Sequence, residues 1–126
     1  MSAYKAAHID EIAADKWPYW APVRHHFDMR FCGANAWRAG KGDEVIKRHS
    51  EGEGGHEELY IVTSGHATFT IGGEEVDAPA GTYIFISDPL AERVAVATAP
   101  DTVVLSLGGW AGKAYEPSEW ETSSLG

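Results

Sequence analysis

The stretch His56-Glu57-Glu58-Leu59-Tyr60-Ile61-Val62-Thr63-Ser64-Gly65 decides the reading of this chain. It is a strand: β-branched and aromatic residues fill its second half, and a turn glycine closes it. Side chains alternate along a strand, so His56, Glu58, Tyr60 and Val62 share one face, with Leu59, Ile61 and Thr63 on the other. An imidazole and a carboxylate therefore enter the same interior as an apolar run. Buried ionisable groups must be hydrogen-bonded, metal-bound or chemically employed, because burying them unpaired is costly.

Outward from this strand the chain keeps a short rhythm. His66-Ala67-Thr68-Phe69-Thr70-Ile71 alternates cleanly, with Ala67, Phe69 and Ile71 facing inward, and Gly72-Gly73 supplies the positive φ angles of a two-residue hairpin. Further strands are expected over 28–39, 44–49, 82–86, 93–98 and 102–107, separated by Pro, Gly and Asp clusters. In the first of these, Met29, Phe31, Asn35 and Trp37 are expected on one face. About eight strands with turns every eight to twelve residues predict an all-β sandwich or barrel. One short helix is expected over Ile9–Asp15, ended by Trp17-Pro18. His25-His26 read as loop residues, and His8 and His66 as surface. The organisation expected is an N-terminal arm (1–27), a barrel (28–108) and a C-terminal arm (109–126).

Composition narrows the classes of partner. Nineteen acidic against ten basic residues among 126 give a formal net charge of −9, which repels nucleic-acid phosphates and anionic membranes. The single cysteine, Cys32, cannot form an intramolecular disulfide and reads as a small core residue. With no signal-peptide pattern or spanning segment, a soluble cytoplasmic protein is expected. Aromatic residues crowd both arms, at Trp17-Pro18-Tyr19-Trp20 and Tyr115 to Trp120. They must pack on their own barrel or on a second subunit, and a homodimer is the expectation.

The ordered set of Glu58, six residues and Gly65, then the Gly72-Gly73 hairpin and Gly81 before the Ser87-Asp88-Pro89 turn, resembles the cupins. The resemblance covers roughly residues 29 to 107 and implies a double-stranded β-helix, the cupin jelly-roll barrel. That fold serves oxygenases, isomerases, epimerases, ligand-binding modules and storage proteins, so it implies no single activity. It also implies a metal site of two histidines and a glutamate from the first motif and a histidine from the second. Here His49 takes the first position, but Glu51 stands at the second. The count for the last lands on Glu92, or on Arg93 if the turn shifts by one.

Two readings of the cluster stay open. In one, His49, His56 and Glu58, with Glu51 or Glu92 as further candidates, hold a divalent Fe, Mn, Zn or Ni ion. In the other there is no metal, and His56, Glu58 and Tyr60 form an acid–base set for proton transfer next to a carbonyl. Both place a small polar organic molecule inside the barrel, lined by Asn35, Trp37, Phe69 and Glu92 as well. A non-catalytic binding or sensing module with a degenerate metal site is the alternative, and a barrel plugged by its own side chains is a third.

Overall fold

The structure, a computed structural model, describes residues 3–125. Two antiparallel sheets face each other. The first is ordered β1 (Trp20–Ala21), β2 (Gly33–Ala39), β9 (Thr102–Trp110), β4 (His56–Ser64) and β7 (Tyr83–Ile86). The second is ordered β3 (Glu44–His49), β8 (Arg93–Ala97), β5 (His66–Ile71) and β6 (Glu74–Pro79). Three short helices, α1 (Ile9–Ile12), α2 (Val23–Phe27) and α3 (Glu119–Leu125), decorate the arms. This is the double-stranded β-helix expected.

The inner faces follow the alternation read from the sequence. Tyr60 and Val62 of β4, Ala67 and Phe69 of β5, Ala95 of β8 and Val104 of β9 are buried together with Val45, Ile46, Ala78 and Ile86 in one core. Gly72 and Gly73 carry φ of 55° and 85° in the hairpin joining β5 to β6, as a turn between right-twisted strands requires. At Gly65, φ is 75°, and a Cβ there would collide with Thr102 Oγ1. Any side chain at this position would push β9 away from β4.

Several expectations need correction. The strand expected over 28–39 begins only at Gly33. Asp28 is left-handed at φ 54° and caps α2, so the chain turns there. Phe31 is exposed, and neither it nor Met29 shares the inner face with Asn35 and Trp37. His25 and His26 lie on α2, exposed, rather than in a loop. The first helix stops at Ile12 because the Ala14 N–H donates to Trp20 O, drawing the chain alongside β1. That edge strand lies inside the expected N-terminal arm, while β9 runs on to Trp110. Helix α3 is unannounced in the sequence, because a short Ser/Glu-rich tail has little helical tendency of its own.

One irregularity positions the site. On β3 the register shifts between Ile46 and His49: Ile46 opposes Ala95 and His49 opposes Arg93. Three steps on β3 match two on β8, so a β-bulge adds one residue. His49 thereby rejoins the inner face that strict alternation would have denied it.

The arms fold back on the barrel. Trp120 packs at 5.1 Å from Trp20 and 6.2 Å from Trp37 between ring centres. Glu121, 2 % exposed, meets Arg24 of α2 at 3.2 Å, so a buried ion pair fastens α3 in place. On the opposite face of β1 and β2, α1 and α2 cover Ala21 and Ala36 with Ile12, Ile9, Val23 and Phe27.

Candidate functional site

The open end of the barrel holds a cavity of about 830 Å³. Its walls are aromatic and its floor is polar. Trp37 and Trp120 form one wall, and Trp110 and Tyr115, with ring centres 5.5 Å apart, form another. Two glycines paired across β2 and β9, Gly33 and Gly108, make room for this arrangement. A Cβ on Gly33 would sit 2.7 Å from the Tyr115 hydroxyl, and one on Gly108 would sit 2.5 Å from His56 Cε1. The ring of His56 lies edge-on to Trp110 at 5.0 Å.

The floor is a network of charged or chargeable groups. Glu58 accepts a short hydrogen bond from the Tyr60 hydroxyl and one of 3.1 Å from Arg93 Nη1. Arg93 is fully buried, and its remaining nitrogens donate to the carbonyls of Asp88, Pro89 and Ala91. It thus ties the turn after β7 to the start of β4. Beside them, His49 Nε2 lies 2.8 Å from Glu51 Oε2 and 3.9 Å from Glu58 Oε1, with Nδ1 2.7 Å from Lys47 O. Both nitrogens of His49 face oxygens. His56 differs: its Nδ1 is buried 3.3 Å from Glu51 Oε1 but makes no hydrogen bond.

Electrostatics follow from these contacts. The hydrogen bond to Glu51 raises the His49 pKa above its ordinary value, and the same bond lowers that of Glu51. Burial, then the charge of Glu51, raises that of Glu58, against the pull of Tyr60, His49 and Arg93. Burial foremost, then Glu58, raises the Tyr60 phenol, so its proton stays on oxygen.

Of the residues expected at the site, Asn35, Trp37, His49, His56, Glu58 and Tyr60 line the cavity. Phe69 and Glu92 do not. Phe69 is fully buried behind Tyr60, 5.5 Å away between ring centres, as part of the core. Glu92 is exposed and pairs with Arg48 on the outside, because the residue that turns inward on β8 is Arg93. Tyr60 is also committed: its hydroxyl serves Glu58, which leaves no proton for a developing oxyanion. The sequence reasoning missed Ser106, whose hydroxyl accepts from Trp37 Nε1 at 3.1 Å, and the places of Tyr115 and Trp120 in the two walls. No spacing motif announces either ring.

The metal implied by the resemblance can be tested against these donors. His49, Glu51 and Glu58 each offer one atom within 4.8 Å of the others, and His56 is outside that group. The set does not suit a divalent ion. The Glu58 oxygen nearest to His49 already accepts from Tyr60 and from a permanently charged guanidinium, and His49 Nε2 faces Glu51.

Comparison with known proteins identifies the fold. No protein-family model matches the sequence, and no curated protein does. Solved structures do match. A cupin protein from Bacteroides fragilis superposes with a TM-score of 0.68 at 22% identity, covering 94% of this chain and 93% of that one. KdgF from Halomonas sp. gives 0.60 at 17%, covering 85% and 88%. The cupin domain of an XRE-family transcriptional regulator from Enterobacter cloacae gives 0.52 at 14%, covering 69% and 83%. The chain has the cupin fold.

Proposed function

We propose that the protein binds a small polar organic molecule in the barrel cavity and that His56 is the group poised to exchange a proton with it. One observation carries this reading: His56 Nδ1 is buried at the cavity floor without a hydrogen-bond partner. A buried nitrogen left without a partner is destabilising unless something completes it. The cavity exceeds the roughly 300 Å³ at which ligand pockets begin, which counts against a barrel plugged by its own side chains. Glu51 Oε1 lies 3.3 Å from His56 Nδ1, on the rim of the site that the ligand would enter. Of the acid–base set expected, Glu58 and Tyr60 then act by position, holding the floor in shape. Asn35 and Trp37 orient the ligand from β2.

A second reading is a binding or sensing module without turnover. It is favoured by the same locking of Glu58 and Tyr60, and by the likeness to a regulator's domain. Hydroxy acids, sugars and uronates screened by quenching of the cavity tryptophans and by thermal shift test both. At least one class is expected to bind the wild type and to lose affinity in Gly108→Ala, which displaces the His56 ring. His56→Gln then separates the readings: lost turnover with affinity kept marks an enzyme, and lost affinity with no turnover in either form marks a sensor. A panel in which nothing binds would overturn both.

The lone Cys32 supports a reducing, cytoplasmic setting. Among the described residues no helix is long and apolar enough to cross a membrane. We also propose a homodimer formed through the outer face of β9, β4 and β7. Leu105, Leu107, Leu59, Ile61, Tyr83 and Phe85 line it, with Glu57 at one end of the same face, and Tyr83 and Phe85 are exposed. Two chains of net charge −9 would meet there through this apolar group of side chains. Light scattering that gives the mass of one chain, unchanged in Phe85→Glu, would sink this.

A further inference from the structure

We infer that Arg93 is a built-in cation occupying the place where a divalent ion would neutralise the barrel's carboxylates, so that this site works without metal. The inference is independent of which ligand the cavity takes.

Position comes first. Arg93 opposes His49 across β3 and β8; alternation with Ala95 turns Arg93 inward, and the bulge in β3 turns His49 to meet it. Its Nη1 reaches Glu58 at 3.1 Å, on the same oxygen that lies 3.9 Å from His49 Nε2. An ion shared by His49 and Glu58 would have to sit between them, next to the guanidinium. Arginine does not give up its proton, so that repulsion is permanent.

Balance comes second. The floor holds two carboxylates, Glu51 and Glu58. Each already has a partner, Glu51 in His49 and Glu58 in Arg93. A dication would leave excess positive charge in a partly enclosed site. Rigidity comes third. Backbone carbonyls of Asp88, Pro89 and Ala91 hold the guanidinium, so it cannot swing aside for an ion. Acidic residues and histidines alone would not show this, because the deciding side chain is basic.

The test uses the whole chain, freed of ions by chelator and dialysed against manganese, cobalt, nickel or zinc chloride in turn. Metal content after desalting, cobalt absorption in the visible and the melting temperature are read. Wild type is expected to retain no more than about a tenth of an equivalent, with no ligand-field band and no thermal shift. Arg93→His removes the cation and supplies an imidazole, and is expected to take up about one equivalent, with a cobalt band. One equivalent held by wild type and lost in His49→Ala overturns the inference. A folded Arg93→His that takes no metal overturns it too, since Arg93 would then not be what excludes the ion. Should Arg93→His fail to fold, the wild-type measurement decides alone.

Discussion

The two ends of the barrel are built from the same strands yet obey opposite rules. On β4, Tyr60 and Val62 point into a closed end sealed by Phe69, Ala67 and Val104, all almost wholly buried. Two and four residues before Tyr60 on the same face, Glu58 and His56 point into an open end lined by charge and tryptophan. The closed end is held by close packing, which tolerates no lost volume. The open end is held by pairing, which tolerates no lost partner. The difference teaches that Tyr60 is the boundary: its ring belongs to the core and its hydroxyl to the site.

The sharpest way to break this contrast is to damage each end once. Phe69→Ala is expected to cost about 3–5 kcal/mol through an unfilled void, and Arg93→Met about the same by stranding the Glu58 carboxylate. Urea denaturation checks both. Only the second should be rescued: adding Glu58→Gln to Arg93→Met is expected to restore about 1–3 kcal/mol in a double-mutant cycle. Additive losses would mean that the two side chains do not act as a pair.

A smaller effect tests the wall that the C-terminal arm gives to the open end. Glu121→Gln is expected to cost about 1–3 kcal/mol by weakening a buried charged bond to Arg24. Faster amide exchange over residues 115–125, with a red shift in tryptophan emission, is the readout that places the loss in the arm. Unchanged exchange there would separate the arm from the ion pair.

The smallest effect is a pH dependence. The raised pKa of His49 contributes stability that is complete below the ordinary histidine value of 6.5 and is lost as pH climbs through the raised one. The lowered pKa of Glu51 contributes stability that is complete above the ordinary 4.5 and is lost as pH falls through the lowered one. The pair therefore stabilises most between those two ordinary values. His49 is partly exposed, so solvent screening holds its worth to at most about 1 kcal/mol. Melting temperatures of wild type and Glu51→Gln should differ most in that window and converge in alkali. A gap that widens with rising pH would reverse the assignment.

The closed end was legible in the sequence and the open end only in part. Alternation in His66 to Ile71 and in His56 to Gly65 placed the core strands, because apolar side chains state their own direction. The same alternation brought His56, Glu58 and Tyr60 to one face. It could not choose between Glu92 and Arg93, since neighbouring charged residues satisfy a strand equally in either register. Nor could it place Tyr115 and Trp120. Their position depends on Glu121 meeting Arg24, 97 residues away in the chain, and no local pattern encodes such a pairing.

The extra residue in β3 has a consequence for how this chain can change. Because three steps there match two on β8, a chain one residue shorter between Ile46 and His49 would pair two-for-two with Ala95 and Arg93 and keep the imidazole facing the cavity. Losing that codon would spare the direction of the ring; what would go is the local bend and added twist that the surplus residue gives the strand. The open end thus survives loss of the kink but not a slip of the whole strand by one residue, which would turn every side chain over.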